Sequence, residues 1–168
     1  AADQDNTPKK ATTENRDRHF APKGTQRTKQ LTHALRQMDV AFDAILSSPL
    51  TRARQTAEIV ARGSQFDGEL EFTEQLAPGG SMQKLVEQIN AIHPMPDSVL
   101  LSGHEPYLSG FISLLCVGGP ELPLKLKKGA LCRLDVDRLS CGRCATLEWL
   151  LQPRLFSAKP GKEEKTKE

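Results

Sequence analysis

At 168 residues, 38% of them hydrophobic, the chain is long enough for one domain with a real core and too short for a second of full size. Charged residues make up 26% and the net charge is only +2, a globular balance too weakly basic to argue for a nucleic-acid partner. No apolar run approaches the roughly 20 residues of a membrane helix and no signal peptide is visible, so a cytoplasmic protein without a membrane partner is expected.

Residues 1–22 are polar and charged without a sustained period, which predicts a surface loop or arm ahead of a domain over 23–155. Leu31, Ala34, Leu35 and Met38 recur at helical spacing and predict an amphipathic helix over 24–38, with His33 on its surface. A strand at 42–47 then feeds a helix at about 49–62, with Ala53, Ala57 and Val60 on one face and Gly63 as the stop. Leu70 to Phe72 reads as a short strand, followed by a turn at Pro78-Gly79-Gly80. Ser81 caps the next helix, whose buried stripe is Met82, Leu85, Val86, Ile89 and Ile92. A strand at 98–102 leads through Gly103-His104-Glu105-Pro106 into a helix reaching about Cys116.

The last third alternates instead. Leu124 and Leu126 predict one strand, and segments 130–137 and 145–151 predict a hairpin. Cys141-Gly142-Arg143-Cys144 has the spacing of half a zinc site, but Cys116 and Cys132 supply no second pair, so the four read as reduced structural thiols with no metal. Residues 156–168 form a charged tail, disordered by composition. The alternation of strands and helices predicts an α/β fold: a three-layer α/β/α sandwich, mostly parallel, with a C-terminal antiparallel hairpin.

Two strand-to-helix junctions share one design. Ile45-Leu46-Ser47-Ser48-Pro49 precedes Arg52, and Leu100-Leu101-Ser102-Gly103-His104-Glu105-Pro106 precedes the next helix. In each, an apolar strand ends in small residues and enters a helix whose first turn is expected to hold a proline, with Ser48 as N-cap in the first case. If both strands are parallel, both junctions lie on the carboxyl edge of the sheet, where such folds bind ligands. That rim offers a guanidinium fork and an imidazole to one anion, with helix N–H groups adding to the attraction. Arg52 and His104 are therefore the phosphate-binding candidates. Arg54 points about 200° round the helix from Arg52 and is expected to stand apart. Glu105 is either a general acid or simply exposed.

Ser48-Pro49-Leu50-Thr51-Arg52-Ala53-Arg54-Gln55-Thr56-Ala57 and Leu101-Ser102-Gly103-His104-Glu105-Pro106 closely resemble two signature loops of the histidine phosphatase superfamily, in particular its SixA-type phosphohistidine phosphatases. Phe20-Ala21-Pro22-Lys23-Gly24, Leu76-Ala77-Pro78-Gly79-Gly80, Leu126-Lys127-Lys128-Gly129-Ala130 and Leu147-Glu148-Trp149-Leu150-Leu151 fit as well, so the resemblance covers about residues 16 to 155. It implies a site of two arginines and two histidines, one histidine becoming transiently phosphorylated before water releases phosphate, with no cofactor. It also implies that Arg52 clamps phosphoryl oxygens and that His104 stabilises charge at phosphorus.

The family carries its nucleophile in an Arg-His pair at the end of an apolar first strand. Arg18-His19 has the pair, but Glu14-Asn15-Arg16-Asp17 before it is fully polar and cannot be a buried parallel strand. Ala1-Ala2-Asp3-Gln4-Asp5 resembles the stretch just after that motif, so the nucleophile is expected upstream of Ala1 and the domain is expected to be truncated. The function implied is removal of a phosphoryl group from phosphohistidine in a protein. Small phosphate esters are the alternative substrate, and a non-catalytic phosphate-binding scaffold is the alternative class. An interior strand would pair backbone groups on both sides, so supplying it is expected to raise the melting temperature in thermal unfolding; equal midpoints would count against the assignment.

Overall fold

The structure is a computed structural model and describes residues 21–156. Its elements are helix α1 (Pro22–Gln37), strand β1 (Ala44–Ser47), helix α2 (Thr51–Gly63), strand β2 (Leu70–Phe72), a short 3-10 turn (Glu74–Leu76), helix α3 (Met82–Asn90), strand β3 (Val99–Ser102), helix α4 (Tyr107–Val117), strands β4 (Leu131–Val136) and β5 (Ala145–Leu151), and a one-turn helix α5 (Pro153–Phe156). None of these helices is long and apolar enough to cross a membrane.

The three parallel strands lie in the order β2-β1-β3. β1 and β3 are short strands whose side chains supply both cores, while the edge strand β2 is largely exposed. Ile45 and Leu100 turn to one face and join Leu31 and Leu35 of α1 and Ala57, Val60 and Ala61 of α2. Leu46 turns to the other and joins Leu76, Leu85 and Val86, and Phe111 and Leu115 of α4. The result is the three-layer α/β/α sandwich. Leu35, Ile45, Leu46, Leu76 and Leu85 are fully buried, each contributing about 1.5–3 kcal/mol of apolar transfer.

The hairpin fills the same middle layer. Leu131, Trp149 and Leu151 pack on the α1/α2 side, and Leu134 and Ala145 on the α3/α4 side. Its hydrogen bonds, however, form a separate two-stranded antiparallel sheet. Among the described residues the outer edge of β3 is joined to no strand, so the hairpin does not extend the parallel ladder.

Several expectations need correction. Residues 122–127 are not a strand: Leu122, Leu124 and Leu126 keep their alternating burial, but Pro123 has no donor and the Leu124 N–H folds back onto Leu122 O at 2.8 Å. Helix α1 opens at Pro22, inside the expected arm, because proline fits the first helical position. The rest of that arm lies outside the described residues. Phe156, the first residue of the expected tail, belongs to α5 and packs on the α1/α2 core. Met38 is exposed, since it stands at the C-cap of α1, and Thr28 and Thr32 take its place in the buried stripe, each donating its hydroxyl to the carbonyl four residues back.

Gly63 does not stop α2 by adopting a left-handed conformation. That role falls to Gln65 (φ 56°), followed by Phe66 N–H reaching back to Ala61 O at 2.9 Å; Asp39 and Val40 close α1 in the same way. Gly63 serves contact instead, because a Cβ there would fall onto Thr32 Cγ2 of α1. Gly63→Ala is therefore expected to lower stability by about 1–3 kcal/mol in chemical denaturation. Thr32→Ala removes the obstructing methyl, so the double variant should lose less than the sum of the two single losses; strict additivity would refute this contact.

Candidate active site

Parallel pairing carries all three strand ends to one edge. Ser47 lies opposite both Phe72 and Ser102, and the ladder runs on as Thr73 N–H donates to Ser47 O (2.9 Å) and Ser48 N–H to Ser102 O (2.8 Å). Buried Ser47 ends β1 and buried Ser48 follows it. The Ser47 hydroxyl donates to Ser48 O at 2.9 Å, while the Ser48 hydroxyl accepts from Leu50 N–H at 3.2 Å.

Helix α2 begins at Thr51 with Leu50 as N-cap and no side-chain cap. Ser48 and Pro49 thus precede the helix rather than capping and opening it, because the Ser48 hydroxyl is engaged one turn earlier. Pro106 likewise stands at the N-cap of α4, ahead of Tyr107. Arg52 remains in the first turn of α2, where aligned peptide dipoles favour an anion. Its backbone is held on both sides: the Thr56 hydroxyl donates to Arg52 O (2.9 Å), and the Ser102 hydroxyl of β3 donates to Ala53 O (2.9 Å).

Across the rim, Gly103 passes so close to the 3-10 turn that a Cβ would lie 3.2 Å from Leu76 O. The chain then presents His104, whose carbonyl accepts from Leu108 N–H at 2.9 Å. Its Nε2 lies 2.9 Å from the Ser48 hydroxyl, which joins the two junctions directly. Which of the pair donates depends on the imidazole tautomer. Burial, and secondly the Arg52 guanidinium, hold the His104 pKa below its ordinary 6.5, so the half-buried ring is neutral at pH 7. Arg52 and His104 therefore act on one small region although they are distant in sequence. Glu105 is exposed and its Oε1 accepts from Ser109 N–H at 3.0 Å, which places the carboxylate on the first turn of α4.

Ser48 is the site residue that sequence reasoning passed over as such. Its value as a helix cap hid its use as the partner of His104. The matched serine-ended junctions were the signal that could have found it. Arg54 stands apart, as its helical position requires: it pairs with Glu58 (2.8 Å) and its guanidinium sits 5.2 Å over the Phe72 ring. His33 is on α1 beside Gln37, and His93 follows α3 at the opposite edge of the sheet. His19 and any residue ahead of it lie outside the described residues.

All four cysteines are free thiols; Cys144 N–H donates to Leu115 O (2.8 Å) near the far end of α4. Burial, and secondly Cys116, push the Cys132 thiol up to about 11, so it stays protonated. Among the described residues no three His, Cys, Asp or Glu side chains are grouped to hold a metal.

This geometry has known counterparts. The family model of the histidine phosphatase superfamily (branch 1) matches residues 3–106, which includes both junctions. An uncharacterized protein of Picosynechococcus sp. is 36% identical over 119 residues, 70% of this chain and 72% of its own. The phosphohistidine phosphatase SixA of Escherichia coli is 25% identical over 137 residues, covering 81% of this chain and 82% of its own. In fold, the chain is similar to the protein histidine phosphatase SixA solved with tungstate, at a TM-score of 0.71 and 24% identity over 81% of this chain and 85% of the other. With the family model spanning most of the chain and both strand-to-helix junctions inside the match, this protein belongs to the histidine phosphatase superfamily.

Proposed function

We propose that the protein removes the phosphoryl group from phosphohistidine in a protein substrate. The observation that carries this reading is the 2.9 Å link between Ser48 and His104, which holds the imidazole beside the first turn of α2, where Arg52 stands. A guanidinium fork can take two phosphoryl oxygens, and a neutral imidazole can donate its N–H to a third. An attacking histidine, outside the described residues in this reading, uses its nitrogen lone pair to form a bond to phosphorus as the bond to the substrate nitrogen breaks. The leaving imidazole takes a proton from solvent water as it departs. Water then displaces the enzyme histidine and inorganic phosphate departs. Glu105 is exposed with its carboxylate accepting from Ser109 N–H at the start of α4, and this scheme assigns it no step.

Among the described histidines only His104 reaches the rim, so the same geometry also supports a phosphate-binding protein without turnover. Arg52→Ala should weaken inorganic phosphate or tungstate binding by about 10–100-fold in calorimetry under either reading. Release of phosphate from a phosphohistidine protein by the natural protein, with an acid-labile phosphoenzyme trapped on the way, is the outcome that selects catalysis. Oxyanion binding without release selects the scaffold, and unchanged affinity in Arg52→Ala overturns both.

His104 supplies a second test. Its folded pKa is depressed, so the neutral ring contributes stability that is full above 6.5 and is lost as pH falls through the folded midpoint. In an NMR titration, the midpoint should lie below 6.5 in the free protein and move up when phosphate binds, because an anion favours the charged ring. Arg52→Ala should raise it part of the way, leaving the effect of burial. A midpoint indifferent to both would contradict a shared site.

A further inference from the structure

β2 is the outer strand of the parallel sheet. Thr73 N–H donates to Ser47 O, and backbone groups alternate in direction along a strand, so the N–H and C=O of Leu70 and Phe72 point away from β1. Among the described residues no strand covers that edge. Beside it, the outer face of α2 forms one wall of a cleft of about 310 Å³ lined by Glu58, Ala61, Arg62, Phe66, Gly68 and Leu70. Between cleft and rim stands Phe72, a large apolar side chain left 42% exposed. Its ring is already ordered, with Arg54 stacked over it and Arg54 in turn fixed by Glu58.

We propose that this open edge takes an extended segment of the protein substrate, which adds to β2 as a further strand and carries its phosphorylated side chain over the rim to Arg52 and His104. The proposal rests on the phosphatase reading above and names how its substrate is held. Three observations choose a polypeptide as the occupant. The outward N–H and C=O groups of Leu70 and Phe72 match another backbone, the recognition mode in which main-chain bonds supply affinity and alternate side chains find pockets. The groove is apolar with mixed charge, since Glu58 stands between Arg54 and Arg62, so it does not suit a polyanion.

Distance gives the third. Phe72 is on β2 and His104 follows β3, two strand spacings or about 10 Å away. A small ester seated at His104 leaves Phe72 untouched. A peptide added outside β2 lies a further spacing away, roughly 14 Å from β3, and at about 3.3 Å per residue spans that gap in about four or five residues.

The test uses the full chain and two probes in calorimetry: inorganic phosphate, and a short extended peptide bearing a hydrolysis-resistant phosphonate analogue of phosphohistidine. Wild type should bind the peptide at least about tenfold more tightly than phosphate. Phe72→Ala, a change at an exposed side chain that should leave the fold intact, should abolish most of that advantage while phosphate affinity stays within about twofold. Phe72→Pro removes an outward donor that β1 does not use and should act in the same direction. Amide shifts on peptide binding should appear at 70–72 and on the outer face of α2. A peptide bound no more tightly than phosphate, or equally well by wild type and Phe72→Ala, overturns the docking edge while leaving the phosphate seat standing. A loss shared equally by both probes also overturns it. Failure of wild type to bind either probe overturns the phosphatase reading itself.

Discussion

Everything at the rim depends on the parallel pairing of β1 with β3. Because Ser47 lies opposite Ser102, the residues that follow each strand emerge side by side, and Ser48 meets His104 at hydrogen-bond distance. A shift of one residue would reverse the faces of both strands: Ile45 and Leu100 would leave one core and Leu46 the other. The register is thus specified by burial on both faces, far more strongly than the site could specify it. The site inherits its geometry from the core.

Small residues convert that register into contact. Ser47 and Ser48 are fully buried and each polar atom is used, Ser102 reaches across to Ala53 O, and Gly103 slips past Leu76 O. A larger side chain at any of these positions would separate β1, β3 and the start of α2. A buried hydroxyl without a partner would cost about 1–3 kcal/mol. The serines therefore tie Arg52 and His104 together through backbone and side-chain bonds that leave the arginine fork and much of the imidazole available. Such preorganised donors are worth most where they need not move when charge develops.

The legible parts of the chain are those in which local pattern and tertiary burial agree. The stripe of α3, the Ser81 cap and the three residues of β2 follow from periodicity and capping alone, and the placement of the two junctions on one edge follows from their matched composition. The misreadings share one cause: a residue type with two uses. Ser48 resembles an N-cap but is occupied by His104 and Leu50. Gly63 resembles a helix stop but makes room for Thr32, while Gln65 accepts the left-handed position without being glycine. Leu122 to Leu126 alternate like a strand because they do alternate in burial, yet Pro123 breaks the ladder they would need. The 3-10 turn at Glu74–Leu76 had no periodic signal, being held by the Thr73 hydroxyl accepting from Gln75 N–H and by complete burial of Leu76.

Arg52 and Arg54 show how far helix geometry alone divides labour. Residues two apart in an α-helix lie about 200° apart around the axis, so Arg52 and Arg54 cannot serve one ligand from the same turn. Arg52 faces the rim and lowers the His104 pKa; Arg54 faces the open side of the sheet, where Glu58 neutralises it and Phe72 supplies a ring beneath it. Were both to face inward, the doubled positive field would depress the His104 pKa further and leave Phe72 unsupported. With one turned outward, Arg52 has no ion pair among the described residues, while Arg54 is neutralised and aromatic-backed on the open side of the sheet.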